Sequence, residues 1–260
     1  MASAVIYPLD CGDSQADQSL ITSRRGFGTP WKGKFVCYLV EAAGKKILID
    51  TGPADPEHAA KWHEEVGPKI PQDQPSVSAL ARLGVRPEEI DAIILTHLHW
   101  DHAYHLDKYP NAPIYVSEAE LSYALMPLPP HYYSYENWAI GLTPWFVGAM
   151  GRVKRLEMRP TNLLEGLTVI PTPGHTPGST SVIVDTDKGR YVLSGDAVIV
   201  RENLVGNPKR HTPYTMIGLY MDYIAAWRSI ETIANLVDGD ASRVLSGHDP
   251  SVFEKERYPS

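Results

Sequence analysis

Apolar side chains along the first half of the chain recur at two spacings, and these predict short strands that alternate with helices. Residues 35–41 and 46–50 are rich in β-branched and apolar side chains, and Ala-Ala-Gly separates them, so we expect the two runs to pair as a hairpin. Asp50-Thr51-Gly52-Pro53 then interrupts the pattern. Helical spacing follows over residues 56–66 and again over residues 76–84, where the final glycine suits a helix C-terminus.

Residues 91–96 form an apolar run with the length of a strand that is buried on both faces. Residues 113–117 are the next strand candidate, and Ser117-x-x-Glu120 is the capping-box pattern that opens a helix. Beyond residue 150, strands are predicted over residues 167–171, 180–185, 191–194 and 243–245, with one longer helix over residues 219–237. Strands and helices therefore alternate in both halves, which is typical of a layered α/β domain.

Length and charge narrow the class of protein. A chain of 260 residues without repeats or low-complexity tracts can bury one large core, so we expect a single domain over residues 1–260. The formal net charge of -7 argues against nucleic acid or an anionic membrane surface as a partner, because both are bound through clustered Lys and Arg. No run reaches the roughly 18 apolar residues of a membrane span. The N-terminus lacks a signal-peptide pattern, so we expect a cytoplasmic protein.

The apolar run at residues 91–96 leads directly into His97-Leu-His99-Trp-Asp101-His102, so three imidazoles and a carboxylate follow one strand within six residues. His97 and His99 can point the same way while the chain is extended, whereas Asp101 and His102 project elsewhere as it turns. One ion could hardly bind all four side chains without strain, so the cluster predicts two adjacent metal sites. The alternative, histidines that are merely solvated on a loop, fits so dense a pattern poorly.

Three later segments share another pattern, in which an apolar run ends in glycine beside His or Asp. They contain Gly174-His175, Gly195-Asp196 and Gly247-His248. Alone, each would more often be a turn or a solvated residue. With the first cluster they supply five imidazoles and two carboxylates, which suit two divalent ions, with zinc favoured and iron, manganese or cobalt as alternatives. Two cysteines are too few to build a four-thiolate zinc site.

The ligand pattern as a whole resembles the H-x-H-x-D-H, later His, bridging Asp and final His of the metallo-β-lactamase superfamily, over nearly the whole chain. Within that superfamily the chain is most similar to the N-acyl homoserine lactonase group. The segments that carry this closer resemblance are Val36-Cys-Tyr-Leu-Val-Glu, Ile47-Leu-Ile-Asp50-Thr-Gly52, Thr96-His-Leu-His-Trp-Asp-His102 and Thr172-Pro-Gly-His175-Thr-Pro-Gly178. The resemblance implies an αβ/βα four-layer sandwich whose dinuclear metal site lies at one edge of the sheets.

The same resemblance implies how the ligands are shared between two metal ions. The first ion would be held by His97, His99 and His175, the second by Asp101, His102 and His248, and both by a bridging Asp196. Asp50 would orient ligands from outside the metal centre, as outer hydrogen-bond partners do. An Asx turn before Gly52 is the alternative for Asp50.

A centre of this kind is suited to hydrolysis. Two adjacent divalent ions lower the pKa of a shared water from roughly 16 to about 7, so a bridging hydroxide could attack an ester or lactone carbonyl. Asp101 could shuttle the proton. Within the superfamily that the chain resembles, the diiron oxygen-reducing members carry glutamate at the position of His99. A histidine there favours hydrolysis over redox chemistry. We therefore predict a hydrolase that opens a lactone or ester, for example an N-acyl homoserine lactonase that quenches quorum signals.

Other functions stay open at this point. Within enzymes the alternatives are a thioester hydrolase similar to glyoxalase II and a β-lactam hydrolase, and outside enzymes a metal-binding interaction protein. The chain contains no G-x-S-x-G elbow, P-loop or dinucleotide fingerprint that would support other chemistry. A small-molecule lactone or ester is the expected partner, for either a monomer or a homodimer.

Two departures from the lactonases bear on the substrate. Tyr104 and His105 stand where the lactonases usually carry glycines, so we expect Tyr104 to donate a catalytic hydrogen bond and His105 to contact the substrate. Local packing is the alternative for both. Ile199 replaces the lactonase tyrosine that hydrogen-bonds the substrate, which makes Tyr104, Tyr214, Tyr220 and Tyr223 candidates for a substitute donor.

Aromatic residues near the ligands are further candidates for substrate contacts. Trp100 lies between two ligands in the sequence, and we expect it to pack beside the substrate. Residues 125–150 combine many aromatic side chains with prolines. They are expected to form either an apolar lid over the metals or a packed excursion that serves as a surface or dimer contact.

Overall fold

Two β-sheets form the centre of the computed structural model, which describes residues 4–260. The first sheet has six strands that neighbour one another in chain order. They are β1 (Val5–Asp17), β2 (Pro30–Ala42), β3 (Lys45–Ile49), β4 (Ala92–Ile94), β5 (Ile114–Ser117) and β6 (Val153–Leu156). β1, β2 and β3 pair antiparallel, whereas β3 to β6 run parallel.

The second sheet has five strands in the order β11-β10-β9-β8-β7. They are β7 (Thr161–Leu164), β8 (Leu167–Pro171), β9 (Thr180–Thr186), β10 (Gly189–Gly195) and β11 (Val244–Ser246). Neighbours pair antiparallel except β10 and β11, which are parallel. The helices are α1 (Pro56–Trp62), α2 (Pro75–Arg82), α3 (Glu118–Leu125) and α4 (Tyr223–Leu236), and short 3₁₀ turns connect many of the elements.

Alternating side chains of the strands build three apolar layers. In β2, Leu39 packs in one buried cluster with Leu80 of α2, while its neighbour Val40 faces the opposite side of the sheet and packs between the two sheets. On the outer face of the second sheet, Val192 packs with Ile230 of α4. Helices therefore cover the outer face of each sheet, which confirms the predicted αβ/βα sandwich.

The predicted hairpin of residues 35–41 and 46–50 is confirmed by the pairing of β2 with β3, where Ala42 lies opposite Lys45. The strands predicted near residues 91–96, 113–117, 167–171, 180–185, 191–194 and 243–245 are also present. The pattern missed β1, β6 and β7. β1 was missed because it is an edge strand in which Pro8, Gly12 and several aspartates interrupt the apolar pattern.

The helix predicted over residues 219–237 begins only at Tyr223, because the side chain of Asp222 caps it by accepting from the backbone N–H of Ala225. Residues 219–222 are instead non-helical. The helix predicted over residues 56–66 likewise ends at Trp62, and a separate 3₁₀ turn covers Glu64–Val66. Within residues 4–260, no helix is long and apolar enough to cross a bilayer.

Residues 125–150 form a succession of 3₁₀ turns beside α3. Tyr135 and Phe146 from this segment are almost fully buried in the core that lies between the first sheet and its helices. Met126, Leu128 and Trp138 are exposed. Part of the aromatic content of the segment is therefore explained by packing onto the domain rather than by contacts outside it.

Arg152, just beyond this segment, fastens it to the connection between β4 and β5. Its guanidinium donates to the backbone oxygens of Tyr109, Ala112 and Leu106 at 2.6 to 2.7 Å. We expect Arg152→Met to lower the free energy of unfolding by about 3 kcal/mol, because the three carbonyls lose a charged donor. Urea denaturation measures this loss.

Arg159→Met is the matched control for the Arg152 prediction, because Arg159 is exposed and pairs only with Glu157 at 2.9 Å among the contacts described. Its replacement should change the free energy of unfolding by less than about 0.5 kcal/mol. Equal losses in the two variants would contradict the role given to Arg152.

Candidate dinuclear metal centre

The loop that follows β4 carries four of the seven expected metal ligands. It turns sharply, with the backbone N–H of His102 donating to the oxygen of His99 at 3.0 Å. This turn places Asp101 and His102 beyond His99, so that the four side chains can serve two neighbouring points. Three of them, His97, His99 and His102, are buried, and Asp101 is partly exposed.

The other three expected ligands follow strands of the second sheet. Asp196 comes directly after β10, His248 follows β11, and His175 lies between β8 and β9. The carboxyl ends of β4, β8, β10 and β11 therefore meet at one edge of the sandwich. Gly247 is needed for this approach, because a Cβ at that position would lie 2.8 Å from Cε1 of His102.

The seven side chains come together in three overlapping groups. Within each group, the nearest donor atoms all lie within 4.8 Å of one another. The groups are His97, His99 and His175; His97, His102 and Asp196; and Asp101, His102 and His248. The structure thus brings together every residue that the sequence placed at the metals.

Asp196 lies between the two halves of the cluster. Its Oδ1 is 3.3 Å from Nε2 of His102 and 3.2 Å from Nε2 of His248, while its Oδ2 is 3.4 Å from Nε2 of His175. The two carboxylate oxygens therefore face different groups of histidines. This is the geometry that a bridging carboxylate needs.

Oxygen atoms outside the cluster hold the far ring nitrogens of three of the histidines, His102, His175 and His248. Nδ1 of His102 lies 2.9 Å from Oδ2 of Asp50. Nδ1 of His175 lies 2.9 Å from the backbone oxygen of Leu219, and Nδ1 of His248 lies 2.8 Å from that of Lys34. These oxygens only accept, so each Nδ1 carries a proton and each Nε2 faces the cluster, where it offers a lone pair to a metal once deprotonated.

The donor set fits two divalent cations. Nε2 of His97 is buried and finds no hydrogen-bond partner among residues 4–260. Nε2 of His102 and Nε2 of His248 face each other at 3.3 Å, and Nδ1 of His99 faces Nε2 of His175 at 3.1 Å. Lone pairs that converge in this way are stabilised by a cation between them, and imidazole with carboxylate suits zinc-like ions.

The electrostatics of the cluster shift the pKa values of its histidines in two directions. Burial and the neighbouring imidazoles hold the pKa values of His97 and His99 well below the ordinary value. Burial acts in the same direction on His102, but the Asp196 and Asp101 carboxylates outweigh it and raise its pKa well above the ordinary value. The carboxylates also outweigh burial at His248 and raise its pKa. A metal ion that binds to His102 and His248 must therefore displace protons from these two side chains.

A cavity of about 440 Å³ opens onto the cluster. Asp101, His99, His175, Asp196 and His248 form its polar end. The rest of its wall is largely apolar, and no Lys or Arg lines it among the described side chains. The apolar lining residues are Ala16, Leu20, Ile21, Trp31, Phe35, Val66, Trp100, Ile199, Leu219, Tyr220 and Met221. The cavity is therefore suited to an uncharged molecule with an apolar part.

The expected substrate residues divide into two sets. Trp100 and Tyr220 line the cavity, as does Ile199. The structure places Tyr104 and His105 outside the lining, with the Tyr104 hydroxyl directed at Glu136 at 3.4 Å and Nε2 of His105 3.3 Å from Asp55.

The reason for this placement is the backbone, because the N–H of Tyr104 donates to the oxygen of Gly52 and turns the chain away from the metal centre. Tyr223 is half exposed on α4 and packs against Tyr220, also outside the lining.

A buried network behind Trp100 was not found from the sequence. The His63 ring stacks on the Trp100 indole at 3.9 Å with an interplanar angle of 2°, and Nε2 of His63 lies 3.1 Å from the buried carboxylate of Glu136. His58 contacts the same carboxylate at 2.6 Å. The backbone N–H of Trp100 also donates to Ser134 at 3.1 Å. The only local sign of this network in the sequence was Glu136, a charged residue within the largely aromatic and apolar residues 125–150.

Comparison with known proteins agrees with this geometry. Residues 36–248 match the model of the metallo-beta-lactamase superfamily, so the chain belongs to that superfamily. An N-acyl homoserine lactonase from a Bacillus species is 29% identical over 262 residues, with 97% of this chain and 94% of that protein covered.

Solved structures show the same similarity. An N-acyl homoserine lactone hydrolase with the product N-hexanoyl-L-homoserine at its catalytic metal centre has a TM-score of 0.76 and 25% identity, with 98% of this chain and 96% of that chain covered. AidC, described as a dizinc quorum-quenching lactonase, has a TM-score of 0.71 at 18% identity, with 96% of this chain and 89% of that chain covered, which shows a shared fold.

Asp50 should tune metal affinity through His102. It is buried with φ of 59°, and its carboxylate accepts from Thr96 N at 2.7 Å and Thr96 Oγ1 at 2.8 Å as well as facing His102. Asp50→Asn keeps a residue that tolerates positive φ but sets an amide N–H against Nδ1 of His102. We expect zinc affinity to fall about 10- to 100-fold. Competition with a chromophoric chelator measures this.

Asp107→Asn, which changes an exposed carboxylate paired with Lys108, is the control for Asp50 and should bind zinc as the unaltered protein does. A folded Asp50→Asn variant with unaltered zinc affinity would show that Asp50 does not act on the metals.

The Glu136–His63 pair should make stability depend on pH. Burial acts to raise the pKa of Glu136, but hydrogen bonds from His58 and His63 outweigh it and lower the pKa below the ordinary 4.5. Burial acts to lower the pKa of His63, but Glu136 and Glu65 outweigh it and raise the pKa above 6.5. The contribution of Glu136 is lost as pH falls through its lowered pKa, and that of His63 as pH rises through its raised pKa.

We therefore expect Glu136→Gln to lower the free energy of unfolding most between about pH 4.5 and 6.5, by about 3 kcal/mol. The loss should shrink as the pH rises beyond the pKa of folded His63. Urea denaturation at several pH values and fixed metal content measures it, with the exposed Glu157→Gln as control. A loss that is the same at every pH would count against the ion pair.

Proposed function

We propose that the protein is a dinuclear metal-dependent lactonase that opens the ring of an N-acyl homoserine lactone, with residues 1–260 forming one hydrolase domain. The observation that carries the proposal is that five of the seven clustered residues form the polar end of a mostly apolar cavity, with no Lys or Arg among the described side chains that line it. The similarity over nearly the full length of this chain and of the lactonases supports it.

We propose zinc as the metal at both sites. Five imidazoles and two carboxylates, without thiolate, form the cluster, and this donor set suits a borderline divalent ion. When bound, such ions polarise a carbonyl oxygen and supply a nucleophile from water at neutral pH. The residues around the cluster then have the tasks of binding, orienting and moving protons.

Asp101 is the residue to move a proton. Its carboxylate lies at the polar end of the cavity, with Oδ2 3.5 Å from Nε2 of His248 and 3.8 Å from Nε2 of His102. It is partly exposed and lines the cavity, so it is accessible to a substrate that binds there. We assign to it the transfer of the proton from the attacking water to the departing alkoxide.

The cavity wall orients the substrate and excludes water. Trp100 and Phe35 pack edge to face at 5.5 Å beside the polar end of the cavity. Ile199 contributes an aliphatic surface at the position that corresponds to the lactonase tyrosine. Among the tyrosines expected to replace that donor, Tyr220 is the one that lines the cavity. We therefore assign the hydrogen bond to the substrate to Tyr220, while the acyl chain packs along Leu20, Trp31 and Val66.

The charge of the cavity favours lactones over the alternatives. The β-lactam antibiotics and the glutathione thioesters carry carboxylates at neutral pH, and their recognition calls for a cationic side chain. Away from the metal ligands the described wall offers Glu65 but no Lys or Arg, so a carboxylate on the substrate would find no cationic partner there. A metal-binding interaction protein, for its part, needs no cavity of about 440 Å³ beside the ligands.

A substrate panel tests the proposal. With zinc bound, we expect kcat/KM for N-acyl homoserine lactones to rise by up to about fourfold per added methylene until the cavity is filled, since each buried methylene contributes about 0.8 kcal/mol. Glutathione thioesters and β-lactams should be turned over at least about 100-fold less efficiently, because each brings an unpaired anion into the cavity. Chromatography of the ring-opened product measures the rates.

The control for the panel is His102→Ala, which should lose turnover of every substrate while remaining folded. Efficient thioester turnover without lactone opening would overturn the proposed substrate class. Full activity of His102→Ala would overturn the metal-dependent mechanism.

A further inference from the structure

A fully buried carboxylate lies behind the first group of metal ligands. Glu120 belongs to α3, and its side chain points into the core rather than back along the helix. Oε1 accepts from the backbone N–H of Leu98 at 2.9 Å and from the hydroxyl of Tyr135 at 2.9 Å. Oε2 accepts from the hydroxyl of Thr176 at 2.6 Å and from the backbone N–H of Gly178 at 3.3 Å. One carboxylate therefore receives four donors.

Three of the four donors belong to the two loops that carry His97, His99 and His175. Leu98 lies between His97 and His99, and Thr176 follows His175 directly. Glu120 thus joins one loop through Oε1 to the other through Oε2. The distance between the two loops determines whether His97, His99 and His175 can reach one ion.

Further contacts show that α3 and the His175 loop are packed as one unit. Ser117 caps α3 by accepting from the N–H of Glu120, and its hydroxyl donates to the oxygen of Gly178 at 2.6 Å. A Cβ on Gly178 would collide with the backbone nitrogen of Glu120, so only glycine allows this approach. The helix therefore carries the carboxylate at a fixed place against the loop.

Tyr135 adds a contact to the same ligands from residues 125–150. Its hydroxyl donates to Glu120, and its ring packs edge to face with the imidazole of His99 at 4.9 Å. The side chain is fully buried. The Glu120 carboxylate, which joins the two loops, therefore also fixes the Tyr135 ring that packs against His99.

We propose that Glu120 is a positioning residue for the first metal site, which fixes the spacing of the His97–His99 loop and the His175 loop without touching the metal. The inference rests on the metal centre of the proposed function but not on its substrate. A carboxylate suits this task because all of its lone pairs accept, and hydrogen bonds to a charged acceptor are about twice as strong as neutral ones. A glutamine of the same size presents two N–H donors in place of one oxygen.

The test is Glu120→Gln, measured by metal binding in the absence of substrate. The amide N–H group would oppose either Leu98 and Tyr135 or Thr176 and Gly178, so one loop must move. We expect the affinity of the first site to fall about 10- to 100-fold while the second site, with Asp101, His102 and His248, keeps its affinity. Titration of the metal-free protein with Co²⁺ shows this as loss of the visible absorption of one of two ions, and Zn²⁺ content after dialysis should fall from two ions per chain towards one.

Glu118→Gln is the matched control, because Glu118 lies on the same helix but is exposed and pairs with Arg155 at 3.0 Å. It should bind two ions with unaltered affinity. Thr176→Val and Tyr135→Phe each remove one donor and should weaken the first site by smaller factors.

The outcomes separate positioning from general packing. Selective loss of the first ion in folded Glu120→Gln supports the proposal, and so does selective weakening in Thr176→Val if Glu120→Gln does not fold. Unaltered affinity at both sites, or equal loss at both, overturns it. A failure of lactone opening in the unaltered protein would overturn the proposed function and leave this metal-binding result standing.

Discussion

The structure depends on one constraint: the ligand atoms that face one another in the cluster cannot hold their own positions, so hydrogen bonds on the far side of the rings must fix His102, His175 and His248. Nε2 of His102, of His175 and of His248 converge around Asp196, and they can share a cation there only if outer partners hold the rings in place. Those partners are Asp50 for His102, the oxygen of Leu219 for His175 and the oxygen of Lys34 for His248. These three oxygen atoms, rather than contacts between the ligands, therefore fix the orientation of the imidazole rings.

The same constraint ties the two sheets together. Lys34 belongs to β2 in the first sheet, whereas His248 follows β11 in the second, and the backbone N–H groups of Lys34 and Val36 donate to the oxygens of His248 and Gly247 at 3.0 Å. The contact that orients a ligand is thus also a contact between the sheets. Apolar packing between the sheets supplies most of the stabilisation, since burial of apolar area is the dominant favourable term. The site can lie at the edge only because that packing holds both sheets in register.

The parts that could be predicted are local in the sequence. His97 to His102 follow one strand within six residues, and glycine beside His175, Asp196 and His248 indicates strand ends that meet. The network behind them could not be predicted, because Glu120 lies 22 residues from Leu98 and 56 from Thr176, and Glu136 lies 73 from His63. Ser117-x-x-Glu120 correctly indicated the start of a helix, but the glutamate side chain accepts hydrogen bonds in the core instead of capping the helix. Tyr104 and His105 adjoin the ligands in sequence, yet the backbone turns them away.

Residues 219–222 contribute to the metal centre and to the cavity in separable ways. The ligand His175 is held by a main-chain oxygen at Leu219, and Met221 is tied to Gly174 through its backbone N–H. The side chains of Leu219, Tyr220 and Met221 instead face the cavity. Substitutions at these three positions can therefore reshape substrate preference while the atom that orients the ligand stays in place. In this chain, substrate preference can therefore evolve at these positions without a change in the metal ligands.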